Sequence, residues 1–245
     1  MALFNDGTIS TLEDLRGYES MIYDLASTEG IDLSQKLVLA RQELEVELTR
    51  RFFLDNLEDL RKVVVTLPLQ LWHIFQTLAL VYRDAYNSHL NDRYLGKWRE
   101  YERQAKWAFD NLLTMGVGLV DEPVPKAAPP VMTTAAGDAT ATMYWARAAW
   151  IGRTGEEGCP SEPSVLAAPE GMAPVIAAGE APSGVSGWNV YVSTEPGAVY
   201  LQNSSPVPTA ESWAMPPSGL VAGKVAGNGQ APSSYRRFER TLRRG

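Results

Sequence analysis

The stretch DEPVPKAAPP, residues 121–130, divides the chain into two halves of different composition. Before it, Pro68 is the only proline and charged residues are dense, whereas Ala, Gly, Pro, Ser, Thr and Val dominate after it. Four prolines in ten residues favour a stiff linker between domains. We therefore predict an α+β protein with a helical domain over 1–122, a β-domain over 123–230 and a basic C-terminal arm over 231–245.

Capping residues and apolar spacing predict the first two of four helices. Ser10 followed by Glu13 fits a capping box, in which each side chain satisfies a free backbone N–H at the start of a helix. Asp32 with Gln35 gives a second start, and apolar residues at helical spacing carry this helix to about Leu57.

The third and fourth helices occupy the rest of the first half. Pro68 suits the first turn of a helix, because its missing N–H would have no helical partner there. The fourth helix carries a heptad-like seam at alternating spacings of four and three and ends at Gly116. The seam consists of Tyr94, Trp98, Tyr101, Ala105, Ala108, Leu112 and Met115.

The second half loses the helical period. Residues 140–151 are rich in Thr, aromatic and small residues, residues 188–192 alternate as a half-buried strand does, and a short strand is expected at 199–202. Short strands separated by Gly and Pro turns favour a β-sandwich, although the pattern alone separates a sandwich poorly from a barrel.

Composition limits the classes of partner. The formal net charge of −7 disfavours a protein built to coat nucleic acid, which needs excess Lys and Arg. The single cysteine permits no intrachain disulfide and suits synthesis in a reducing cytoplasm. No run approaches the roughly twenty apolar residues of a membrane span, and the first ten residues lack the pattern of a signal peptide. We expect no membrane partner.

Chemical signatures are weak. His73, His89 and Cys159 fall in no metal-ligand spacing, and the glycine pairs at 116–118 and 227–229 lack the context of a phosphate cradle. We therefore expect no metal, no cofactor and no enzymatic activity. A Ser-His-Asp set stays open, because its members meet only in the fold.

The first half resembles the helical head-tail connector, or adaptor, proteins of tailed bacteriophages. The resemblance rests on the opening FNDGTISTLEDLRGYES (4–20) and on YRDAY (82–86), NDRY (91–94) and KW (97–98) in that order. It covers roughly residues 4–122.

The second half resembles a fibronectin type III domain of the kind appended to phage tail proteins. The segments that carry this resemblance are RTGEEGCPSEP (153–163) and GWNVYV (187–192). A plain connector has no such domain, so the contacts of a connector's C-terminal region do not transfer directly to this chain.

The connector resemblance implies a structural virion protein, assembled in the host cytoplasm. Such proteins form rings, commonly dodecamers, between the portal protein and the next neck or tail protein, and packaged DNA passes through the channel. Two alternatives stay open: a tail-tip or baseplate protein, and a host-surface module in which Trp188 or Trp213 stacks on glycans.

The last fifteen residues hold five arginines and one glutamate, a net charge of +4 in an otherwise acidic chain. We interpret them as an arm that docks on the portal or a neighbouring subunit; a solvated tail and contact with DNA phosphate are the alternatives. Trp107 lies off the heptad seam and is a further interface candidate, while the seam aromatics are expected in the core. The interface candidates are Tyr235, Arg236, Arg237, Phe238, Arg240 and Trp107.

Acidic residues of the second helix form the last candidate group. Glu43 and Glu47 are candidates for lining an acidic channel through which DNA slides without sticking. The alternative is an ordinary solvated helix face.

Overall fold

The computed structural model describes residues 1–54, 59–89 and 92–238. The protein is α+β, with helices first and antiparallel strands after them. The described helices are α1 (Leu12–Tyr18), α2 (Ile22–Glu29), α3 (Leu33–Leu54), α4 (Leu67–His89) and α5 (Asp92–Met115), with 3-10 turns at Phe4–Asp6 and Leu60–Lys62.

Nine strands in the described residues form three antiparallel sheets, ordered β1-β9, β2-β5-β8 and β4-β3-β6-β7. Predicted strands 140–151, 188–192 and 199–202 correspond to β3, the middle of β6 and β7. The strands are β1 (Val117–Leu119), β2 (Val131–Ala136), β3 (Thr142–Gly152), β4 (Ser164–Ala168), β5 (Met172–Ala177), β6 (Val185–Ser193), β7 (Tyr200–Leu201), β8 (Trp213–Ala214) and β9 (Ser234–Arg236).

The chain divides into two compact units, each built from two pieces. The helical unit joins Gly7–Val120 to the segment that begins at Pro232, and the β unit joins Met1–Asp6 to Asp121–Ala231. The division therefore lies close to the predicted boundary at 122/123, but the first six residues fold with the β unit. Asp6 explains this, because its carboxylate accepts hydrogen bonds from the backbone N–H of Lys126 at 2.8 Å and of Leu3 at 2.7 Å.

The start of the first helix differs from the prediction. The capping box is formed by Thr11 and Asp14, each side chain accepting from the other's backbone N–H, instead of by Ser10 and Glu13. Ser10 is buried, and its Oγ lies 2.6 Å from Nδ1 of His73. The Ser10 hydroxyl therefore binds His73, which is distant in sequence, instead of capping α1.

Leu12, Leu15, Ile22 and Leu25 lie at helical spacing and predict a single first helix. The structure has two helices there, α1 and α2, so the described helices number five instead of four. α1 ends at Tyr18, and Glu19 has extended backbone angles that break the helix. The Glu19 carboxylate accepts a hydrogen bond from the Tyr101 hydroxyl at 2.9 Å and lies 3.1 Å from Nζ of Lys97. These contacts with α5 hold Glu19 where α1 ends.

The remaining helix signals are confirmed. Asp32 caps α3 by accepting from the backbone N–H of Ser34 and Gln35, and Pro68 lies in the first turn of α4. α5 ends before Gly116, whose φ of +102° favours glycine. The predicted end of α3 at Leu57 lies outside the described residues.

The core of the β unit draws on both of its larger sheets. Trp150 of β3 pairs in register with Trp188 of β6, and Ile176 of β5 packs into the same cluster from the three-stranded sheet. All three side chains are buried. Two antiparallel sheets therefore cover one apolar core, as their alternating side chains require.

Candidate interaction sites

The described part of the basic arm is held by backbone pairing. β9 runs antiparallel to β1, with Val117 opposite Arg236 and Leu119 opposite Ser234. Val64 N–H donates to Gly118 O at 2.9 Å on the other side of β1, so β1 lies between two segments. The arm is therefore part of the helical unit up to Phe238, instead of a separate element from residue 231.

Glycine makes this pairing sterically possible. A Cβ on Gly118 would lie 2.8 Å from Cγ of Pro232, closer than real Cβ atoms approach other groups, and a tight 3.0 Å from Cγ2 of Thr66. A Cβ on Gly116 would come within 3.1 Å of the Arg236 carbonyl oxygen. The Gly-Val-Gly motif therefore gives the C-terminal strand β9 the space to pair with β1.

The arm candidates divide into anchored and exposed residues. The ring of Phe238 is buried and packs edge-on against Phe52, with centroids 5.5 Å apart. Tyr235 is 56% exposed, and Arg236 and Arg237 are exposed beside it. Arg240 lies outside the described residues. Phe238 therefore anchors the arm within the chain, and Tyr235, Arg236 and Arg237 are each exposed to solvent.

The aromatic residues of α5 also divide as their positions suggest. Trp107 is 58% exposed. Tyr94 and Tyr101 are buried, and both pack near Tyr82 of α4: Tyr101 stacks on it with centroids 5.5 Å apart, and Tyr94 lies tilted to it at 6.2 Å. Trp98 is partly buried and packs near Tyr86 at 5.7 Å. Trp107 is the large aromatic side chain of this helix that is open to a partner.

Glu43 and Glu47 have different surroundings. Glu43 is exposed and accepts a hydrogen bond from Nε2 of Gln76 at 2.5 Å. Glu47 contacts Arg50 at 2.7 Å and Arg51 at 3.1 Å. Partial burial opposes ionisation of Glu47, but the hydrogen bonds from both arginines outweigh it and hold its pKa below the ordinary value. The negative charge of Glu47 is therefore largely compensated by its own helix.

His73 has a structural environment. Its Nε2 lies 3.0 Å from the Leu37 carbonyl oxygen, which can only accept, so Nε2 carries the proton and Nδ1 accepts from the Ser10 hydroxyl. Burial is the main cause that lowers the pKa of His73 to about 4. The imidazole thus links α3, α4 and the segment before α1. Within the described residues, no three His, Cys, Asp or Glu side chains converge to hold a metal ion.

One open cleft of about 600 Å³ lies within the β unit. Its walls come from the β2–β3 turn, the end of β6 and residues 215–220 after β8. Tyr144 of β3 contributes to the lining although it is only 3% exposed. None of the candidate residues predicted from the sequence lies in this cleft; the polar run TTAAGDATAT (133–142) was the available signal.

The two tryptophans proposed for glycan stacking do not serve as an exposed pair. Trp188 has no exposed surface, so a sugar ring cannot stack on it, and that expectation is wrong. Trp213 is partly buried and packs against the same core. Alternation in β6 predicted a half-buried strand, whereas the structure buries six of its nine residues.

Comparisons with known proteins add no family to these observations. No family model matches the chain, and no curated protein matches it. Among the described helices, none is long and apolar enough to cross a membrane.

Proposed function

We propose that this protein is a structural subunit of a tailed-bacteriophage neck, which forms a ring, of twelve subunits on the connector resemblance, between the portal protein and the next neck or tail protein. Packaged DNA passes through the ring without specific binding. The protein works by geometry in the virion, without catalysis and without a cofactor. We also propose that the β unit is a fibronectin type III-like sandwich appended to this connector domain.

The exposed group Tyr235, Arg236 and Arg237 carries this proposal. Tyrosine and arginine are enriched in protein interfaces, because the ring supplies apolar area and arginine makes bidentate bonds to carboxylates. β1 and the Phe238 anchor hold this group in place. Holding the backbone before binding lowers the entropic cost of docking.

Two further observations support a protein that assembles with others. Trp107 exposes more than half of its surface, and tryptophan is enriched among the residues that dominate protein interfaces. A channel wall that repels DNA needs negative charges that are not compensated by neighbours. Because Glu47 contacts two arginines and Glu43 is hydrogen-bonded to Gln76, the channel-lining role of these residues stays a prediction.

The direct experiment is native mass measurement of the chain with the portal protein of the virus that encodes it. A triple variant, Tyr235→Ala, Arg236→Glu and Arg237→Glu, removes the exposed group while leaving the backbone of β9 and Phe238 unchanged. We expect the unaltered chain to form a discrete ring on the portal and the triple variant to lose most of this association.

The matched control is Arg153→Glu with Lys224→Glu, which makes the same change in net charge at exposed positions of the β unit. It should still form the ring. Absence of any complex with the unaltered chain would overturn the neck assignment and favour a tail-tip or baseplate position. Equal loss in both variants would mean that net charge, not the arm, drives association.

A further inference from the structure

We propose that the cleft between the β2–β3 turn and residues 215–220 is a binding site for a small neutral saccharide. The site lies entirely in the β unit and is separate from the arm that carries the proposed function. Its volume of about 600 Å³ falls within the range of small-ligand sites and accommodates one or two sugar rings.

The polar groups that line the cleft are available to a ligand. Within the described chain, no hydrogen bond engages the side chains of Asp138, Thr140, Thr142, Thr194 or Ser218. Hydroxyl groups both donate and accept, and a carboxylate accepts up to several hydrogen bonds. Several hydroxyls and one carboxylate in the lining therefore offer partners to the alternating donors and acceptors of a polyol.

Tyr144 is the second observation that points to a ligand. Its side chain lines the cleft and is 3% exposed. Its hydroxyl has no hydrogen-bond partner among the described residues and is not sealed off from solvent, so it is open to a ligand. Burial raises the pKa of Tyr144, so the hydroxyl keeps its proton and can donate. A ligand hydroxyl could accept this hydrogen bond in place of water.

The charge of the lining selects among ligands. No Lys, Arg or His of the described chain lines the cleft, so phosphate and carboxylate ligands would lack a counter-charge. Met215, Pro216 and Leu220 add apolar side chains to the lining. A lining that combines apolar and hydroxyl groups suits a sugar ring, which has a C–H face and hydroxyls on its edge.

Backbone hydrogen bonds hold both rims in place. Gly137 N–H donates to Gly171 O at 2.9 Å below the β2–β3 turn. On the other rim, Gly219 N–H donates to Pro216 O at 2.9 Å, and its φ of +80° closes this turn. The cleft is thus formed before a ligand arrives, which limits the ordering cost of binding.

The test is a titration of the ¹⁵N-labelled full chain, followed through its ¹H–¹⁵N spectra, with glucose, galactose, mannose, rhamnose and N-acetylglucosamine as separate probes. At least one sugar should shift the amides of residues 136–142 and 215–220 with millimolar affinity. Tyr144→Phe, which removes only the hydroxyl, should weaken this affinity about five-fold. Asp138→Ala should weaken it about thirty-fold through loss of charge-assisted hydrogen bonds.

Tyr200→Phe is the matched control, because it removes a phenol hydroxyl of the same unit outside the cleft, and it should leave affinity unchanged. Shifts elsewhere on the chain, or affinities unaffected by both cleft variants, would overturn the proposal. It would also fail if none of the five sugars bound, or if ethanolamine bound and no sugar did, since Asp138 would then mark an amine site.

Discussion

The helical unit and the cleft of the β unit use their polar side chains in opposite ways. In the helical unit, carboxylates and hydroxyls hold secondary structure together: Glu19 binds Tyr101 and Lys97, and the Lys36 ammonium lies 2.6 Å from Asp84. In the β unit, the hydroxyls around the cleft have no internal partner. Polar groups already satisfied within a fold stabilise it, while open ones are available for binding. On our two proposals, the helical unit would assemble through its exposed residues and the β unit would bind a ligand at the cleft.

The largest expected effect tests whether the two units are energetically separate. Trp188→Ala removes a fully buried ring from the core of the β unit and should lower its free energy of unfolding by about 4 kcal/mol. Urea unfolding followed by far-UV circular dichroism should then show the β transition shifted to lower denaturant and the helical transition unchanged. A single shifted transition would contradict separate units.

The next effect is a dependence of helical stability on pH. The folded-state pKa of His73 is about 4, below its ordinary value of 6.5, so the unfolded chain binds the extra proton. The contribution of neutral His73 to the free energy of unfolding is complete above pH 6.5. It is lost as the pH falls toward 4, and it amounts to about 3 kcal/mol in all. Urea midpoints of the helical transition across this window measure it.

The control for this prediction is His73→Gln, which cannot titrate. Its helical transition should lack the part of the pH dependence between 6.5 and 4 that the unaltered chain shows. Identical pH slopes for the two proteins would mean that carboxylates, not the buried imidazole, cause acid unfolding.

The smallest effect concerns the strand that joins the arm to the helical unit. Gly118→Ala should destabilise this unit by about 2 kcal/mol, because the added Cβ meets Pro232 and Thr66. Gly96→Ala in α5 is the matched control, since its Cβ meets nothing within 4 Å, and it should stabilise the helix by about 0.5–1 kcal/mol. Thermal unfolding of both variants separates the outcomes, and equal effects would mean that the pairing of β1 with β9 is dispensable.

Local patterns of sequence explain the elements that were predicted well. α3, α4 and α5 carry apolar stripes at helical spacing with a cap or a glycine at their ends, and β3 and β6 hold runs of β-branched and aromatic residues. Each of these signals depends on residues a few positions apart. By contrast, β2, β4, β5 and β8 are rich in Ala, Pro and Met, or are very short, and their local preference is weak.

The sequence by itself determined the α+β class, the change of structure near residue 121 and the basic, aromatic character of the arm. Tertiary structure alone decided that Ser10 binds His73 instead of capping α1, that Glu19 ends that helix, and that β9 returns to β1. It also decided that Tyr144, Asp138 and residues 215–220 line one cleft. The physical reason is that these features join residues tens to more than a hundred positions apart in sequence. Helix caps and apolar periods, by contrast, depend on residues only a few positions apart.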